Sequence, residues 1–102
     1  MKKFILYVGL NDKDTKTQKI GLLEAYKIIE NIIIPKTDGY TISEALGYYR
    51  HEDGTITTEK SLRVEMFFVD RPLVIDVCKT LKLAFNQESI AIEEVETKSE
   101  LI

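Results

Sequence analysis

Apolar and polar positions alternate near the start of the chain, shift to helical spacing, return to a long alternating stretch, and go through the cycle once more. Residues 4–10, Phe4 to Leu10, are apolar and rich in strand formers, which predicts a central strand buried on at least one face. Asn11 to Lys16 is polar and reads as a loop. Thr15 followed by Gln18 fits a capping box, which predicts a helix over 17–34. Its apolar stripe is Leu22, Tyr26, Ile29 and Ile33, widened by Ala25 and Ile32. Pro35 disfavours helical geometry at Ile34 and ends the helix.

Thr37-Asp38-Gly39 reads as a turn. From Tyr40 to Arg50 the chain alternates, with Tyr40, Ile42, Leu46 and Tyr48 on one face and Thr41, Ser43, Ala45, Gly47 and Tyr49 on the other. Asp53-Gly54 signals a tight hairpin. Residues 55–69 return as a second long strand, with Leu62, Val64, Met66 and Phe68 on its apolar face and Arg63, Glu65, Phe67 and Val69 on a mixed one. Asp70 caps the next helix, Pro72 sits early in it, Val74, Val77, Cys78, Leu81 and Phe85 form its stripe, and Asn86 stops it. Residues 89–96 make a last strand with Ile90 and Ile92 inward. The order strand–helix–strand–strand–helix–strand predicts an α+β ferredoxin-like sandwich, two helices on one face of a four-stranded antiparallel sheet, over 1–96, with 97–102 a frayed tail.

A chain of 102 residues, 44% hydrophobic and 30% charged, is expected to be a single folded domain. Its net charge of −3 supplies no basic face for a phosphate backbone, so no nucleic-acid partner is expected. The lone Cys78 forms no disulfide or cysteine zinc cluster within one chain and reads as a small buried hydrophobe. Basic residues precede apolar ones at the start, but no small-residue cleavage site follows and no stretch is long enough to span a bilayer. A cytoplasmic protein without a membrane partner is the expectation.

One sheet face, carrying Ile5, Tyr7, Phe67 and Val69, is left uncovered by the two helices. Its apolar character predicts a homo-oligomer, dimer or trimer, joined through that face, or a ligand cleft upon it. The densest cluster of chemistry-bearing residues lies on the central hairpin: Tyr48, Tyr49, Arg50, His51, Glu59, Lys60, Ser61, Arg63 and Glu65. A tight hairpin sets Arg50 near Glu59, which predicts a cross-strand ion pair. The candidate ligand-binding residues are Tyr7, Tyr49, Arg50, Glu59 and Arg63, with Arg50 clamping a small anionic ligand and Tyr49 as a wall. The bland alternative is a solvated hairpin held by ordinary charge pairs. Gly47, amid good strand formers, predicts a bulge that re-aims the tyrosines. His51 can titrate near neutral pH, but no metal-ligand spacing accompanies it, so no metal site is expected. Gly-x-Gly-x-x-Gly, Walker and Gly-x-Ser-x-Gly patterns are absent, and no cofactor is expected. Glu93, Glu94 and Glu96 read as a solvated acidic strand.

The segments Tyr7-Val8-Gly9, Asp38-Gly39-Tyr40-Thr41-Ile42, Gly47-Tyr48-Tyr49-Arg50, Asp53-Gly54 with Glu59 and Ser61, and Phe85-Asn86-Gln87-Glu88-Ser89-Ile90 occur in that order. Together they resemble a bacterial family of small proteins of unknown function marked by Asp-Gly-x-Thr-Val, Gly-x-Trp-Arg and Gln-Glu-Ser-Val. Tyr49 stands where that family tends to carry tryptophan. More weakly, Gly39 to Tyr48 resembles the second strand of nitrogen-regulatory PII-like proteins, with Leu62 to Val69 and Ile92 to Val95 echoing their third and fourth. That resemblance implies trimers with nucleotide clefts between subunits, though their long loop after the second strand is missing here.

The expected function is a non-enzymatic homo-oligomeric ligand-binding or regulatory module. Two alternatives stay open: a dimeric ferredoxin-like isomerase or cofactor-free oxygenase using Tyr49 or His51 as acid–base groups, and a pure protein-interaction module.

Overall fold

In strand β1, Lys2–Gly9, alternate side chains share a face, and Phe4, Leu6 and Val8 are fully buried. The computed structural model describes residues 1–50 and 52–102, so the expectation placed on His51 lies outside the described residues. Strand β3, Ile56–Phe67, pairs antiparallel with β1 so that Met66, Val64 and Leu62 stand opposite Phe4, Leu6 and Val8. The two apolar rows therefore form one continuous surface. Strand β2, Thr41–Arg50, pairs with the outer side of β3, and β4, Ala91–Glu96, pairs with the outer side of β1. The sheet order is β2-β3-β1-β4, antiparallel throughout.

Helices α1, Leu22–Ile33, and α2, Arg71–Ala84, close over the apolar surface. Ala25, Ile29 and Ile33 come from α1; Val74, Val77 and Leu81 from α2, followed by Phe85. Each large aliphatic chain so buried contributes about 1.5–3 kcal/mol. The architecture is the expected ferredoxin-like sandwich. Among the described residues, no helix is long and apolar enough to cross a membrane.

Several local expectations are corrected. Helix α1 starts at Leu22 and not at 17, with Gly21 as an N-cap that has no side-chain bond. Thr15 and Gln18 form no capping box. Asp12 takes the backbone N–H groups of Asp14 and Thr15, and Asn11 bridges Gln18, so residues 11–18 close on themselves as a loop. At the other end, Ile34 stays right-handed helical and a single 3-10 turn, Ile34–Lys36, carries Pro35 past the end of α1. Gly47 makes no bulge, because pairing runs unbroken from Thr41↔Glu65 to Arg50↔Ile56. Phe68 leaves the apolar row of β3: its φ of 58° turns the chain, the strand ends at Phe67, and its ring is exposed. Val69 consequently lies off the sheet. Ile5, on the face away from the helices, is nonetheless buried. The charged side chains of that face bond to each other, with Glu65 paired to both Arg63 and Lys3, and Lys3 over the Phe67 ring.

Candidate functional site

On the face away from the helices, the end of β1, the middle of β3 and the start of β4 border a cleft of about 450 Å³. Ligand pockets run from about 300 to 1,000 Å³. Its floor comes from Tyr7 and Gly9 of β1, Glu59 and Ser61 of β3, and Ala91 of β4; Tyr49 and Thr57 stand at the β2 side. Loop residues Asn11 to Lys13, Lys16, and Gln87 to Ser89 complete it.

Glu59 is partly buried and accepts a hydrogen bond from the Asn11 backbone N–H at 3.0 Å. Register sets it opposite Gly47, and its carboxylate leans across to the neighbouring strand, where a Cβ on Gly9 would stand 2.6 Å from Oε1. Only a glycine leaves that space, so close approach and not a turn explains Gly9. Gly47 serves the aromatic wall in the same way. A Cβ there would meet Tyr49 Oη at 3.0 Å, so the tyrosine ring lies over the glycine. Two glycines in the strands that flank β3 thus lower the sheet surface on either side of the carboxylate, and Tyr7 and Tyr49 supply polarizable walls.

The rim is built by two loops that lock together. Asp12, buried, accepts from the Asp14 and Thr15 backbone N–H groups at 2.8 and 3.1 Å and from Asn86 Nδ2 at 2.9 Å. The Asn86 bond, then the two backbone bonds, hold its carboxyl down at about 2. Asn86 Nδ2 also reaches Asp14, and the Lys13 N–H donates to the Asn86 carbonyl at 3.0 Å. Asn86 ends α2 with a φ of 46°, the left-handed stop expected of it. Next to it, buried Gln87 donates from Nε2 to the Asn11 carbonyl at 2.6 Å. Gln87, Asn11 and Glu59 therefore form one relay: the Gln87 amide holds the Asn11 carbonyl, and the N–H of the same residue holds the Glu59 carboxylate.

Of the candidate residues, Tyr7, Tyr49 and Glu59 come together around this cleft. Arg50 does not. It pairs with Ile56 and lies on the opposite sheet face from Glu59, so the expected Arg50–Glu59 ion pair is not formed. The physical reason is the connection: β2 ends at Arg50 and β3 begins at Ile56, which shifts register from odd to even relative to a two-residue turn. Gly54 does adopt the left-handed φ, 88°, that the Asp-Gly signal implies. Arg63 stands opposite Tyr7 but is held by Glu65, outside the cleft lining. Sequence reading missed Asn11, Asp12 and Gln87. The Asn-Gln-Glu-Ser run flagged the second loop, and nothing flagged the first. Among the described residues, no group of three or more His, Cys, Asp or Glu side chains could hold a metal.

No protein-family model matches the chain, and no curated protein matches it. Solved structures do. A phage SAM lyase in complex with S-methyl-5'-thioadenosine is similar with a TM-score of 0.71 and 23% identity, over 93% of this chain and 80% of that one. The periplasmic divalent cation tolerance protein CutA from Archaeoglobus fulgidus gives 0.61 and 19%, over 99% and 88%. A DUF3240 family protein from Shewanella baltica gives 0.57 and 8%, over 99% and 94%. At these identities the likeness is one of fold: a small α+β module of the ferredoxin-like, PII-like type, shared with a family of unknown function.

Proposed function

We propose that the Glu59 cleft binds a 5'-thioadenosine compound with a positively charged sulfur, the S-adenosylmethionine class, and that the chain breaks its carbon–sulfur bond. The observation that carries the reading is a carboxylate, held by the Asn11 N–H over Gly9, in a cleft walled by two tyrosines. A negative carboxylate with aromatic faces beside it suits a sulfonium joined to a nucleobase: the first attracts the cation and the second stack on the ring. The fold likeness to a SAM lyase holding S-methyl-5'-thioadenosine supports the same ligand class. The reaction asks little of the protein. The electron pair of the broken bond ends on sulfur, which leaves as a neutral thioether. The carbon it leaves is completed by the substrate's own carboxylate closing on it, or by loss of a neighbouring proton to Glu59. Neither route consumes water or a redox partner. The protein then contributes orientation and the Glu59 charge.

The chain also reads as homo-oligomeric. Leu46, Tyr48 and Ile56 are all more than half exposed near the free end of the β2–β3 hairpin, an apolar set that favours a second copy. Light scattering that returns a monomer at micromolar concentration would remove this part of the reading.

Incubation with S-adenosylmethionine, followed by chromatography for S-methyl-5'-thioadenosine, tests the activity. Product formation that disappears in Glu59→Gln supports it; the amide oxygen still accepts from Asn11 while the charge is gone. Binding of S-methyl-5'-thioadenosine without turnover would return the chain to a non-enzymatic sensing module. The absence of both binding and turnover would refute the ligand class.

A further inference from the structure

We propose that the two loops at the mouth of the cleft form a receptor for an α-amino carboxylate, with Lys13 and Lys16 taking the carboxylate and Glu88 the ammonium. The inference rests on the S-adenosylmethionine reading of the cleft and assigns the amino-acid end of that ligand to the rim. Both lysines and Glu88 line the same cleft as Glu59. Neither lysine forms an ion pair with a described residue, whereas Lys19 of the same loop lies 4.0 Å from Asp12. Two cations without an ion pair to a described residue thus border a cleft that also carries three carboxylates, Asp12, Glu59 and Glu88, a pattern that suits a dipolar ligand and not a simple anion.

The loop presenting the lysines is tied by its own hydrogen bonds. Lys16 holds a φ of 61°, which is costly for a residue with a Cβ. It is kept there by its N–H to the Asp12 carbonyl and by the Asp12 N–H to the Thr17 carbonyl, both 2.8 Å. Backbone strain retained in an over-determined loop gathers at ligand clamps. The second loop is fixed to the first by the Lys13 N–H to Asn86 carbonyl bond, and Glu88 follows two residues later. Opposite charges therefore line one cleft from two joined loops, as the adjacent carboxylate and ammonium of an amino acid require. The deeper Glu59 remains for the sulfur. S-methyl-5'-thioadenosine has no amino-acid end and so should ignore the rim.

S-adenosylhomocysteine and S-methyl-5'-thioadenosine separate these roles, since both have a neutral sulfur and only the first carries the amino acid. Calorimetric titration of the full chain should give at least tenfold tighter binding of S-adenosylhomocysteine. Both K13A/K16A and E88Q should reduce that ligand toward the affinity of S-methyl-5'-thioadenosine and leave the latter within twofold. Equal loss of both ligands, or loss of neither, in the two variants overturns the rim assignment while the cleft reading stands. Failure of the unmodified chain to bind either ligand overturns both.

Discussion

The carboxylate of Glu59 rests on Gly9, where an added Cβ would stand 2.6 Å from Oε1 and 2.7 Å from Oε2. The obstructing atoms are the far end of a side chain and not backbone, so the carboxylate can swing aside. Gly9→Ala should therefore fold. Alanine in a strand gains about 0.5–1 kcal/mol over glycine, and losing the Asn11–Glu59 bond costs about 0.5–1.5 kcal/mol. Net stability by urea denaturation should change by no more than about 1 kcal/mol. Binding of S-methyl-5'-thioadenosine should drop sharply, because the displaced carboxylate enters the cleft. Unchanged affinity would mean that Glu59 is not held at the position a ligand uses.

Gly47 tests the aromatic wall. The Tyr49 ring lies over it, and a Cβ would already stand at 3.0 Å from Oη. Valine at this position suits a strand but needs the volume of the ring, so Gly47→Val should keep or raise the melting temperature while pushing Tyr49 outward. A stacked base is worth roughly 1–3 kcal/mol per aromatic partner. S-methyl-5'-thioadenosine should then bind about tenfold more weakly, as in Tyr49→Ala. A Tyr49→Ala variant that binds like the unmodified chain would exclude the wall from recognition.

The elements were legible because their signals are local. Phe4, Leu6 and Val8 alternate, Leu62, Val64 and Met66 answer them, and Asp70 with Pro72 marks the start of α2 as the Leu73 N–H to Asp70 bond shows. Register was not legible, since it depends on where a hairpin connection begins and ends. Counting from a tight Asp53-Gly54 turn sets Arg50 beside Glu59, whereas the real pairing sets Gly47 there and sends Arg50 to the other face. Phe68 fitted the apolar row by parity alone, and a left-handed residue broke that parity. The rim was least legible: Asp12 meets Asn86 across 74 residues, and neither neighbourhood names the other. What sequence did carry of the cleft was Tyr7, Tyr49 and Glu59, three residues that share the parity of the face away from the helices.

Asp70 offers a control remote from the cleft. Its Oδ1 accepts from the Leu73 N–H at 3.2 Å, satisfying an otherwise unpaired donor at the start of α2. Asp70→Ala should destabilise by about 1 kcal/mol. Ligand affinity should not move, because Asp70 does not line the cleft. An equal stability in the two proteins would show that water replaces the cap without loss.

Acid should loosen the rim through Asp12. The Asn86 side chain and the Thr15 and Asp14 N–H groups hold its carboxyl at about 2, against an ordinary value of 3.8. The folded form therefore keeps its charge where the unfolded form already takes up a proton. The stabilisation is complete above about pH 3.8 and is lost as pH falls toward about 2. Asp76, held low by Lys36, and Glu94, held low by Lys2 and Arg71, act in the same direction, so the unmodified chain alone cannot isolate Asp12. Asp12→Asn can. Its amide oxygen still accepts from Asp14 and Thr15, but its NH2 opposes the Asn86 NH2, so its melting temperature should be lower at pH 7. That gap should close between pH 4 and pH 2, as the unmodified carboxyl is protonated. A gap that stays constant across this range would mean that shape, and not the Asp12 charge, joins the two loops.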